Sequence, residues 1–476
     1  MVTGCGVANA REGDNVRAIG NQAGEGAGAP RGRGWQTALA MVIPNGARVA
    51  YGLRGGNPDV SGRPASGGSG TLPGMKIARV ESFRVVAQRD YEGSAGLRAA
   101  TVEASGSSRP RALARNDGRH LCVYPAQAEV LLVRIVTDDG LVGWGEAHSP
   151  PIPRVAQALI TDLFAPQLIG RDPLAIDAIW DALYASMRLR GYGTGVMLEA
   201  IAGIDIALWD LAGKALGQPV YRLLGGPYST HIPCYLSGVP GATVDDRIRA
   251  ARGFVAEGYT AMKLSVGRGP LDEDLDGVEA VIEAVRGDAD VLVDAHGVYD
   301  ARTAVAAGRR LERAGAGWFE DPLPPEDVDG YAALCQTLDI PVANGETECN
   351  RWQFLDKFRK RAADVILPDV CRAGGISEGR KIALIADLHN VRWCVHASIS
   401  TPIHLAAGLH LAAATPNFLL CEYPQSFRTT PLANALVETP LRPVDGFMDL
   451  ADVPGLGVSF NRDVFRELCL DEIDWI

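Results

Sequence analysis

Seven residues with chemistry to offer each close a short apolar run. Lys263 ends YTAMKLS, Asp294 VLVDAH, Glu320 WFEDP, Glu346 IPVANGE, Asp369 DVILPD, His396 VRWCVH and Glu422 FLLCEYP, at successive intervals of 23 to 31 residues. Asp294, Glu320 and Glu346 offer three hard oxygen ligands with no cysteine among them, a set that suits Mg²⁺. Crowded together without a cation, three carboxylates would repel one another. Asp369 and His396 can form a hydrogen-bonded pair in which the carboxylate fixes the imidazole tautomer and raises its basicity, making His396 a general base. Glu422 can hydrogen-bond an oxygen of a bound substrate, and Lys263 supplies a cation. Any one of these residues could be a turn or cap residue. That explanation does not extend to all seven at one period.

The elements that would position them are strands alternating with helices. The run HIPCYLSG precedes Lys263 by a similar interval and makes eight strands, while segments such as ARTAVAAGRRLERAG and ISEGRKIALIADLHN carry helical periodicity between them. This is the pattern of an α/β chain with a parallel βα barrel over residues 223–440, whose active site lies at the carboxyl ends of the strands. Residues 75–222 read differently. IARVESFRVV, AEVLLVRIVTDDG and VGWGEA alternate as an antiparallel meander, followed by the helical segments RVAQALITDLFAPQLIG, PLAIDAIWDALYASMR and MLEAIAGIDIALWDLAGKALG. In the last, Asp205 and Asp210 are expected to be structural partners. A Gly/Ser/Arg-rich excursion, about 93–124, interrupts the meander as a long loop.

Composition excludes several classes. The chain of 476 residues is 47% hydrophobic and 22% charged, as expected of a globular enzyme. A net charge of −11 argues against nucleic-acid or anionic-membrane partners. Nine cysteines without CxxC pairs suggest neither a disulfide framework nor a zinc site, and fit reduced thiols in a cytoplasm. No apolar run approaches the roughly 20 residues that span a bilayer. The first 74 residues hold 18 of the 55 glycines and read as a disordered extension, with an internal start at Met75.

The order K-x-S, D-x-H, E-D-P, G-E, P-D, H and E resembles the mandelate racemase group of the enolase superfamily. The likeness extends from about Met75 to the C-terminus through VGWGEA, GIDIALWDLAGK and PGLGV. It implies a modified (β/α) TIM barrel under an α+β capping domain built from both chain ends, here 75–222 completed by 441–476. It also implies a homo-oligomer and Mg²⁺-assisted removal of the proton α to a carboxylate.

One departure narrows the chemistry. Racemases of the group carry K-x-K, whereas Ser265 stands where their second lysine would be, and a hydroxyl is a poor base near neutrality. Lys263 is then expected to bind the substrate carboxylate. His296, two residues after Asp294, resembles the D-x-H of acid-sugar dehydratases such as D-galactonate dehydratase, where it protonates the departing hydroxyl; a role orienting Asp294 is the other reading. The expected reaction is Mg²⁺-dependent dehydration of an aldonic or related sugar acid, with a cycloisomerase or epimerase as the alternative and a metal-retaining binding protein as the non-enzymatic one. The excursion and the turn near His148 would set stereospecificity.

Overall fold

The computed structural model describes residues 74–88, 100–101, 113–116, 121–124 and 127–475 apart from Pro151 and Arg268. The expectations for residues 1–73, and for the rest of the excursion at 93–124, lie outside the described residues. Strand β1 (Ile77–Gln88) is the first element of the described residues. Within the excursion, β2 (Ala100–Thr101), β3 (Leu113–Asn116) and β4 (Leu121–Tyr124) form a small antiparallel sheet, so it is not one unbroken loop. Strands of two to four residues are too short to show an alternation, which is why the sequence alone does not reveal them.

β5 (Gln127–Thr137) and β6 (Val142–Ala147) pair antiparallel, and β5 pairs with β1. The helix Val196–Leu216 lies directly on β6, which the glycines of VGWGEA make possible: a Cβ at Gly145 would stand 2.0 Å from the Gly203 carbonyl oxygen and 2.7 Å from the Ala207 nitrogen. Asp210 on this helix ties three separate segments together. It accepts the Trp144 and Leu456 backbone N–H groups, both at 2.9 Å, and pairs with Lys214. Asp205 accepts the Ser377 N–H at 3.0 Å at the start of the helix Ile376–Leu388. Gly145→Ala is therefore expected to cost about 1–3 kcal/mol through overpacking. A urea midpoint unchanged from the parent chain would show that the helix can withdraw freely.

Eight parallel strands follow: β7 (His231–Ser237), β8 (Ala261–Ser265), β9 (Asp290–Asp294), β10 (Trp318–Glu320), β11 (Val342–Asn344), β12 (Val365–Ile366), β13 (Arg392–Val395) and β14 (Phe418–Pro424). They pair in chain order and β14 closes onto β7, with a helix in each of the seven gaps. β15 (Phe447–Asp449) runs antiparallel beside β7. The chain's last segment returns to the first sheet: Arg84 pairs with Asp471 at 2.6 Å, Arg134 donates to the Asp474 carbonyl at 2.8 Å, and Phe465 packs edge-on against Phe83. Among the described residues no helix is long and apolar enough to cross a membrane.

Candidate active site

Strand alternation explains how an apolar run delivers a charged group. Successive side chains on a strand face opposite ways. Ala261, Leu292, Trp318, Leu367 and Cys394 belong to one cluster filling the barrel interior, and Leu420 packs against it. Each precedes a site residue by two: Lys263, Asp294, Glu320, Asp369, His396 and Glu422. The inward face is apolar in mid-strand and polar at the end, where the barrel opens. Glu346 breaks the count, standing three residues after the inward Ala343. Gly345 between them has φ +127°, a backbone that favours glycine and changes the chain's direction there.

All eight sequence-predicted site residues fall into one network. Lys263 Nζ lies 2.5 Å from Glu320 Oε1, 3.0 Å from Glu422 Oε1 and 3.3 Å from Asp294 Oδ2. His396 faces a carboxylate at each nitrogen, with Nδ1 2.8 Å from Asp369 Oδ2 and Nε2 3.0 Å from Glu346 Oε2. Glu422 Oε2 accepts the Ala397 N–H at 3.0 Å and lies 3.9 Å from His396 Nε2. His296 places Nδ1 2.7 Å from Asp294 Oδ1, and its backbone N–H donates to the same oxygen at 2.9 Å. Those two contacts hold His296 at φ +51°, a left-handed conformation uncommon outside glycine.

The electrostatics are those of crowded acids in a dry site. Burial disfavours the Lys263 ammonium, but Glu320, Glu422 and Asp294 together raise it well above the usual lysine range. Burial, with Asp294 and Glu422 alongside, pushes Glu320 well above the usual carboxylate range despite Lys263. One ammonium does not neutralise three carboxylates. Burial likewise opposes ionisation of Asp369, yet the neighbouring His404 and His148 and the bond from His396 hold it well below its ordinary value. His396 is raised despite burial, by Glu346 and Asp369 first.

Asp294, Glu320 and Glu346 fit a divalent cation by donor type and by their positions at neighbouring strand ends. All are oxygen donors at adjacent strand ends, and Glu320 pairs in register with Asp294. The buried Asp294 Oδ2 makes no hydrogen bond among the described residues and has the Lys263 ammonium 3.3 Å away. Glu320 and Glu346 are turned toward Lys263 and His396. Among the described residues, the trio whose ligand atoms lie within 4.8 Å of one another is instead His148, Asp369 and His404.

Several groups that support the network do not stand out in the sequence. Arg372 donates to the Glu346 carbonyl at 3.0 Å, and Trp318 Nε1 donates to Glu320 Oε2 at 2.9 Å. Asp369 Oδ1 accepts the backbone N–H of Cys371 at 2.8 Å and of Arg372 at 3.1 Å, and His404 Nε2 stands 3.2 Å from it. Trp318 and Arg372 sit within or just after the quoted strand ends, which is the one signal that could have found them.

Residues 120–225 match the mandelate racemase / muconate lactonizing enzyme N-terminal domain, and residues 246–464 match the enolase C-terminal domain-like family. The chain is 37% identical over 349 residues to the D-galactarolactone cycloisomerase of Agrobacterium fabrum, covering 71% of this chain and 90% of that protein. It is 32% identical over 366 residues to the D-galactonate dehydratase of Xanthomonas oryzae, covering 75% and 95%. The crystal structure of the 3,6-anhydro-D-galactonate cycloisomerase from Zobellia galactanivorans superposes with a TM-score of 0.70 at 29% identity, covering 83% of this chain and 100% of that one. With both domains matched and the barrel closed, the chain is an enzyme of the enolase superfamily, in its mandelate racemase / muconate lactonizing enzyme group.

Proposed function

We propose that the chain is a carbon–oxygen lyase that dehydrates a sugar acid, an aldonate or a related acid, to a 2-keto-3-deoxy acid. The observation that carries this reading is His396, buried at a strand end with Nδ1 tied to Asp369 and Nε2 turned toward Glu346 and Glu422. With its Nδ1–H donated to Asp369, His396 in its neutral form takes the C2 proton at Nε2. The Glu346 carboxylate, 3.0 Å from that nitrogen, disfavours the neutral form until Glu346 turns to a cation. Lys263 binds an oxygen of the substrate carboxylate, and Glu422, fixed by the Ala397 N–H, hydrogen-bonds a second substrate oxygen. Asp294, Glu320 and Glu346 would hold Mg²⁺, which when bound supplies positive charge against the second negative charge that develops on that carboxylate. His296 uses Nδ1 on Asp294 and keeps Nε2 for the 3-hydroxyl. It gives that oxygen its proton as the C3–O bond breaks, and water leaves. The resulting enol tautomerises to the ketone. Ser265, in register with Asp294 at the end of β8, offers no second base for racemisation.

The dehydratase relative supports elimination, and the 37% identity to a D-galactarolactone cycloisomerase supports a second reading, in which the substrate is a lactone. The two share the removal of the α proton and differ in what departs. A hydroxide must be protonated to leave. A ring carboxylate on the β carbon is a far weaker base, with a conjugate-acid pKa of about 4, and leaves unaided.

His296→Asn separates them. Dehydration should fall by about 10²–10⁴-fold, the usual contribution of a general acid. Exchange of the C2 proton with solvent deuterium should persist, provided the abstracted proton equilibrates before it returns. A panel of sugar acids and lactones, assayed for new keto acid, identifies the substrate class. Undiminished lactone opening with no dehydration in any sugar acid would favour the cycloisomerase. Loss of exchange with bound metal intact would make His296 a support for Asp294 rather than an acid.

A further inference from the structure

Behind the base lies a buried polar line that the proposed chemistry does not use. Glu146, at the end of β6, is buried and faces Thr401: its oxygens accept the Thr401 N–H at 3.0 and 3.2 Å and the Thr401 hydroxyl at 2.6 Å. Thr401 in turn caps the helix Pro402–Ala413, its side chain accepting the Ile403 N–H at 3.2 Å. In the first turn of that helix His404 is wholly buried, with Nε2 3.2 Å from Asp369 Oδ1. His148, two residues after Glu146, lies alongside, its Nε2 3.3 Å from Ser398 Oγ.

Asp369 is therefore held asymmetrically. Oδ1 accepts the Cys371 and Arg372 N–H groups from its own turn and has His404 Nε2 from another element as a charge contact at 3.2 Å, whereas among the described residues the group at Oδ2 is the His396 ring. The two backbone donors approach from one side of the chain, and a carboxylate's last torsion is soft and roughly two-fold. A group from an independent, anchored helix removes that freedom.

We infer that His404 is a positioning residue for the base, fixing the plane of Asp369 so that Oδ2 faces His396, and that Glu146 of the outer sheet holds His404 there through the Thr401 cap. This rests on His396 being the base of the proposed reaction. An orientation lost at Asp369 would loosen the bond that sets the His396 tautomer, slowing proton removal while leaving substrate contacts intact.

The test compares His404→Leu, which keeps volume but no donor, with His404→Gln, which keeps an amide N–H. Measured on the full chain with Mg²⁺ are kcat, KM, C2 deuterium exchange, bound metal and melting temperature. For His404→Leu, kcat and exchange should fall together by about 10–100-fold with KM within about twofold and metal retained, and His404→Gln should recover most of the loss. A kcat within about threefold of the parent in His404→Leu, or equal losses in both variants, overturns the inference, the latter because volume alone would then matter. Should His404→Leu not fold, Glu146→Gln serves: a fall in kcat at unchanged KM supports the inference and an unchanged kcat overturns it. His396→Asn is run in parallel. If that variant still exchanges the C2 proton, the base assignment has failed. If it is inert while His404→Leu is unaffected, the positioning role alone has failed.

Discussion

His396→Asn should abolish keto-acid formation and C2 deuterium exchange together, a fall of about 10⁴-fold at the upper end of what a positioned general base contributes. Asparagine keeps a polar side chain able to reach the Asp369 carboxylate, which in the parent lies 2.8 Å from His396 Nδ1, and it lacks the second nitrogen that faces Glu346 and Glu422. The variant thus removes the proton acceptor with little change in volume, and the metal ligands should be unaffected; bound metal is measured to confirm it. The comparison with His296→Asn gives the result its meaning. One variant should lose exchange, the other only elimination. Exchange that persists in His396→Asn and is absent from metal-replete His296→Asn would mean that the two histidines have each other's roles.

Why these residues were legible in the sequence, and others were not, follows from how each is placed. Lys263, Asp294, Glu320, Asp369, His396 and Glu422 sit at the ends of parallel strands, where the inward alternation that builds the core also dictates which side chain meets the pocket. A single strand would have left them indistinguishable from caps. Their common period identified the barrel and put all of them at one end of it. Glu346 was found by that period although the alternation alone puts it out of step, because Gly345 corrects its direction.

Glu146 and His404 had no such signal. PIHLAAGLHLAA reads as a buried helix, and a histidine within it looks like an ordinary core residue. Its meaning comes from Glu146 meeting Thr401 across 255 residues of sequence, a contact that no local pattern encodes. The same holds for Arg84 and Asp471, which join the first strand to the last segment across 387 residues. The antiparallel strands inside the excursion were hidden for another reason: segments of two to four residues are too short to show a period.

Stripping divalent metal with a chelator should lower turnover by at least about 10³-fold, and Mg²⁺ should restore it. Charge balance in the site is the reason. Removing a proton α to a carboxylate that is already an anion places a second negative charge on the same oxygens. In a buried site, charge stabilisation of several kcal/mol is needed for that, each 1.4 kcal/mol being tenfold in rate. The chain's own cation at that spot is Lys263, and its ammonium is already drawn to Glu320, Glu422 and Asp294. Among the described strand-end groups, carboxylates outnumber fixed cations, and Asp294, Glu320 and Glu422 share the one ammonium of Lys263. Calorimetry provides an arm independent of turnover: Mg²⁺ binding should be measurable on the parent chain and weakened by Asp294→Asn, Glu320→Gln and Glu346→Gln, but not by His404→Leu. Full turnover in protein shown by elemental analysis to hold no divalent metal would remove these three carboxylates from the metal-binding role and leave the counter-charge to the chain's own cations, Lys263 first.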